Sequence, residues 1–140
     1  MSEIHIARQT RDKAIASARE VFDDATAITQ EVFAATRALI WQAFDEVTAP
    51  IWRAYDDAVA PIFKTAEGGS LQQDFHNAIA PSHRVREESL AAPRQTRDAA
   101  LAIAQQVHDI AIAPHLIVFE VNCATAWQAY LNTITKRGIH

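Results

Sequence analysis

The chain has 140 residues, 49% of them hydrophobic, enough for one core of single-domain size and too little for two comfortable domains. A formal net charge of −4 argues against a free-standing nucleic-acid binder, and the lone Cys123 excludes an internal disulfide framework, reading instead as a small buried hydrophobe. Three Gly and five Pro are few breakers, Ala is abundant throughout, and the fold class is therefore all-α.

At the N-terminus, MSEIHIARQTRDK turns charged before any apolar stretch long enough for a signal peptide. No apolar run approaches the roughly 18 residues of a membrane span. A soluble, intracellularly made chain is expected.

From Gln9 the sequence falls into blocks of eleven: QTRDKAIASAR, EVFDDATAITQ, EVFAATRALIW, QAFDEVTAPIW and RAYDDAVAPIF. The phase breaks at KTAEGGSLQ, where Gly68 and Gly69 signal a turn, and resumes from Gln73 with QDFHNAIAPSH, RVREESLAAPR, QTRDAALAIAQ, QVHDIAIAPHL, IVFEVNCATAW and QAYLNTITKRG. With block positions labelled a to k, h is Ala in ten of the eleven blocks and d is acidic in eight. Position c is aromatic in seven (Phe22, Phe33, Phe44, Tyr55, Phe75, Phe119, Tyr130) and basic in the other four (Arg11, Arg86, Arg97, His108). Position k adds Trp41, Trp52, Phe63, Leu116 and Trp127.

Eleven residues in three turns is about 98° per residue, so a stripe of this period runs almost straight along a helix. Positions b, c, f, g, j and k then share one apolar side about 165° wide, broader than a two-stranded seam. The aromatic residues at c and k are the expected packing and assembly residues. Two readings stand for the Ala stripe at h: a good helix former at an exposed place, or a row of small residues that lets a second helix approach.

All five prolines follow Ala, and Pro50, Pro61, Pro81 and Pro114 occupy position i. Either they kink long helices so that the aromatic face is concave, or each opens a new short helix where its missing donor costs nothing. The expected organisation is one structural domain of amphipathic helices, kinked or segmented at Pro and packed as a bundle or an intertwined oligomer. Residues 1–67 form a long N-terminal helical region and residues 68–93 a turn and short-helix connector, with a break around Pro81 to His83. Residues 94–140 form a C-terminal helical hairpin with Pro114 between its helices.

The motifs of helical enzymes are missing. No Glu has His three residues on, and there is no HExxH, no CxxCH and no Gly-rich phosphate loop. His76 and His83, like His108 and His115, are seven apart, two turns or roughly 10 Å along a helix, too far for one metal without further ligands. No catalytic residue, metal or cofactor is expected. Basic residues cluster at Arg8, Arg11, Lys13 and Arg19 and again at Arg84, Arg86, Arg94 and Arg97, and the segment RQTRD occurs at Arg8–Asp12 and at Arg94–Asp98. Arg pairs spaced i,i+3 on one face suit a phosphate backbone, while the i,i+4 pairs with Asp12 and Asp98 suit a solvated surface.

The eleven-residue amphipathic pattern, which covers most of the chain, resembles that of the exchangeable apolipoproteins and synucleins, which implies a lipid surface as partner. The chain departs from them in having three Lys and bulky Trp and Phe at regular positions, which suits a packed core. In architecture it is similar to the small all-α coat proteins of filamentous archaeal viruses, whose helices curl round DNA. The leading expectation is a self-assembling structural subunit, most concretely a filament or virion coat protein that meets itself or a homologous subunit and meets nucleic acid through the Arg clusters. The alternative is an amphipathic lipid-surface or membrane-associated protein.

Overall fold

The computed structural model describes residues 2–66 and 72–136, and the turn expected at Gly68 and Gly69 lies outside the described residues. Helix α1 spans Glu3–Ala66 and helix α2 spans Gln72–Lys136; no strand occurs among the described residues. The fold is an all-α helical hairpin. Ser2 caps α1: its Oγ accepts the His5 N–H at 3.2 Å and its carbonyl the Ile6 N–H at 3.1 Å. Glu3 and Asp74 in the first turns and Lys64 and Lys136 in the last complement the helix dipoles.

The structure corrects the segmentation expected at proline. Both helices continue through every proline, so the break at Pro81 to His83 is absent, and residues 94–136, expected as a hairpin of two helices, belong to the single helix α2. A proline inside a helix costs about 3 kcal/mol through one lost hydrogen bond and a clash with the carbonyl four residues back. Here Pro50, Pro61, Pro81 and Pro114 lie on exposed flanks, where water reaches the freed carbonyl, and the packed seam holds the chain helical on either side.

Two compact units divide the chain: residues 1–34 with 105–140, and residues 35–104. In each, a stretch of α1 packs antiparallel against a stretch of α2. In the first unit Arg11 meets Tyr130, Phe22 meets Phe119 and Phe33 meets His108. In the second Phe44 meets Arg97, Tyr55 meets Arg86 and Phe63 meets Phe75. All but the last of these pairs join position c to position c.

The seam is narrower than the apolar side read from the sequence. Its buried residues are Ala18, Thr26, Thr48, Val59, Leu90 and Ala126, at positions g and j, with the c side chains half-buried between them. Positions b and f, 65–100° from c on one flank, remain largely exposed, because a helix with a single neighbour covers only the strip that neighbour touches. The ten Ala residues at h are all exposed, so no second helix of this chain approaches them. Thr26 and Thr48 tolerate burial by donating their hydroxyls to the carbonyls of Phe22 and Phe44, each at 2.8 Å.

Candidate assembly interface

Position c is where charge enters the seam, and each basic residue there faces a ring on the other helix. The Arg11 guanidinium carbon lies 4.3 Å from the Trp127 ring centroid and 4.5 Å from that of Tyr130. Arg86 sits 5.0 Å from Trp52 and 4.3 Å from Tyr55, and Arg97 4.9 Å from Trp41 and 4.5 Å from Phe44. In each case the two rings are three residues apart on one helix and meet edge to face, at 82–88°. Spacing explains this: k and the following c are i,i+3 neighbours, so the Trp edge meets the c ring and the pair makes a continuous π surface for the cation.

Behind each cation stands a carboxylate from the next position, d. Arg11 pairs with Asp12 at 2.9 Å, Arg86 with Glu87 at 3.2 Å and Arg97 with Asp98 at 2.9 Å. The three Arg side chains are only 12–19% exposed. His108 takes the same place against Phe33: its Nδ1 lies 3.0 Å from Asp109 Oδ1 and its Nε2 3.0 Å from Gln30 Oε1, where Gln30 fills the k position that Trp holds elsewhere. That hydrogen bond from His108, with a second from Gln105, holds the Asp109 carboxyl below its ordinary range, and the Arg94 hydrogen bond does the same for Glu87.

Of the eight basic residues singled out in the sequence, Arg11, Arg86 and Arg97 therefore lie in the helix–helix seam. Arg94 is tied to Glu87 at 2.7 Å, and Arg86 also contacts the His83 ring. Arg19 reaches over Phe119 at 5.1 Å but stays largely exposed, as do Arg8, Lys13 and Arg84. The duplicated RQTRD occupies duplicated surroundings, since Arg11 and Arg97 are the same residue of the two copies. Arg11 and Arg97 contact the neighbouring Asp and the opposite rings, and Arg94, one of the two residues for which an i,i+4 pair was expected, pairs with Glu87. All eleven packing aromatics, Phe22, Phe33, Trp41, Phe44, Trp52, Tyr55, Phe63, Phe75, Phe119, Trp127 and Tyr130, take part in these ring contacts.

The two flanks of the seam differ. On the k and d side stand the Trp residues, Arg8, Arg19 and Arg94, and the carboxylates. On the b, f and i side, α1 carries no charged residue from Ile6 to Thr65, and α2 carries none between Asp74 and Lys136. Small side chains at f leave grooves there. One of about 790 Å³ in the first unit is lined by Ala14, Ser17, Asn122 and Ala129 among others. Two of about 420 Å³ lie in the second unit, one beside Ala43, Val47 and Ala100, the other beside Ala54, Ala58 and Ser89. Their α1 walls are one repeat apart, about 16 Å along a helix.

Among the described residues no cluster of three or more His, Cys, Asp or Glu is placed to hold a metal, and Cys123 is a half-buried free thiol. One 18-residue stretch within α2 has the length and mean hydropathy, 1.4, of a candidate membrane span, with 6% of it buried. No protein-family model matches the chain, and no curated protein or solved structure is similar to it.

Proposed function

We propose that this chain is a structural, self-associating helical subunit and not a catalyst. The observation that carries the reading is the apolar surface left uncovered. Four hydrophobic side chains are buried among the described residues, Ala18, Val59, Leu90 and Ala126, while nineteen large hydrophobic ones, from Ile6 to Leu131, are exposed. The accessible surface is 10023 Å² for 15.5 kDa. A compact monomer of that mass exposes roughly 7,200 Å². The excess, about 2,800 Å², is of the order that obligate subunits bury against one another.

A filament or virion coat around nucleic acid is the most concrete form of the proposal, with Arg8, Lys13, Arg19 and Arg84 as the basic side chains left to meet phosphate. A second reading, a lipid-surface protein, is favoured by the stretch Ile110 to Ala126, whose one charged residue is Glu120. Negative-stain electron microscopy of untreated and nuclease-treated protein, with vesicle flotation beside it, separates these. Assemblies that keep their order after nuclease fit a protein-only scaffold, and loss of order fits a coat. Dispersed particles that float with vesicles favour the lipid reading, and dispersed particles that do not float overturn both.

A further inference from the structure

The two grooves of the second unit lie on one flank of its seam, the flank whose b, f and i positions carry no charge, with Arg86 and Arg97 of the seam at their edges. Relative to Phe44, Trp41 is turned about 60° one way round the helix, and Val47 about 60° and Ala43 about 100° the other way. The Trp and carboxylate flank and the grooved flank are therefore opposite sides of the helix pair. Both helices contribute to each: Ala43 and Val47 from α1 share one groove with Thr96 and Ala100 from α2, and Ala54 and Ala58 share the next with Val85 and Ser89. The exposed aliphatic residues beside the grooves, Leu39, Val47, Val85 and Ile103 in this unit, are 60–65% exposed. In the first unit Val21, Ile28, Val107 and Val118 stand in the same positions, 51–74% exposed.

Resting on the self-association reading, we infer that the grooved flank of the second unit is the surface on which a second copy of this chain docks, with the same flank facing it. Like meets like because of the charges. Setting the grooved flank against the opposite flank of another copy would strip water from Asp45, Asp56, Glu87 and Asp98, whereas two grooved flanks of the second unit bring no carboxylate into the contact, and the Arg86 and Arg97 that line the grooves already pair with Glu87 and Asp98. The contact is isologous, so the product is a closed pair, with two helices from each copy at the contact. A bilayer is the poorer occupant, because grooves with Ser82, Ser89 and Thr96 in their walls match protruding side chains.

The test places the same chemistry on the two flanks of α1. Ala43→Glu with Ala54→Glu puts carboxylates on the groove walls; Ala49→Glu with Ala60→Glu puts them on the exposed Ala stripe of the other side. Light scattering coupled to size exclusion reads mass, and circular dichroism reads helicity in the same samples. The expected result is a fully helical 15.5 kDa species for the first variant, the pair weakened roughly 100-fold or more, and an unchanged pair for the second. Val85→Glu repeats the test from α2 should the double variant lose helicity. If all variants keep the wild-type mass, or the Ala-stripe variant dissociates instead, the assigned surface is wrong while self-association stands. A monomeric wild type overturns both, and one whose binding to neutral phosphatidylcholine vesicles is lost with Ala43→Glu and Ala54→Glu transfers this flank to lipid.

Discussion

The cation–ring layers occur in both orientations, with the Arg on α1 opposite Tyr130 and on α2 opposite Phe44 and Tyr55. A layer should therefore survive being reversed. In the Phe44–Arg97 layer, Phe44→Arg alone sets two guanidinium groups across the seam at the 4.5 Å now separating cation from ring centroid. At an effective dielectric near 20 that repulsion costs about 4 kcal/mol before salt screening. Arg97→Phe alone loses a half-buried cation–π contact with two rings, about 1–2 kcal/mol. Combined, the substitutions restore one cation–ring contact in the opposite sense, with Asp45 next in sequence to take the part of Asp98 and with Arg94 in place of a Trp three residues before the new ring. Urea unfolding followed by circular dichroism at one fixed protein concentration gives the double-mutant cycle. The expected coupling is about 3 kcal/mol in favour of the pair. A double variant as unstable as the sum of its parts would refute the claim that these residues form one unit across the seam.

Three further outcomes follow from the packing. Leu90→Ala, at the most buried side chain of the seam, should cost about 2–4 kcal/mol in urea unfolding, whereas Thr48→Val, which keeps its shape, should cost less than about 1 kcal/mol. Pro61→Ala should stabilise the fold by up to about 3 kcal/mol, seen as a higher melting temperature and a larger helical signal, because the helix already runs through an exposed proline. Glu87 and Asp109 have carboxyl pKa values held below their ordinary 4.5 and 3.8, so their share of stability is complete above those values and is lost as pH falls through the lowered ones. Melting temperature against pH should therefore fall below about pH 4.5, less steeply for Glu87→Gln, and the difference should shrink in high salt because both carboxylates meet solvent.

The helices were legible because Ala-rich blocks and a period near the natural helical turn point the same way. The seam residues at c, g and j also fall within the apolar side read from the repeat. What sequence could not supply was the partner of each block. Position c holds either a ring or a cation, and only the antiparallel register reveals that Arg11, Arg86 and Arg97 are the complements of rings in distant blocks; read alone, they resemble phosphate ligands. A usable signal was present: each of these cations is followed at once by Asp or Glu, and each opposing ring is preceded three residues earlier by Trp. Proline misled for a related reason, since its local cost is visible in sequence while the tertiary packing that offsets it is not.

Self-association is the centre of this account, and sedimentation equilibrium of the purified chain, free of nucleic acid and lipid and run at several concentrations, tests it most directly. The expected mass is an even multiple of 15.5 kDa that falls toward the monomer on dilution. A stable, fully helical 15.5 kDa monomer at every concentration would contradict it.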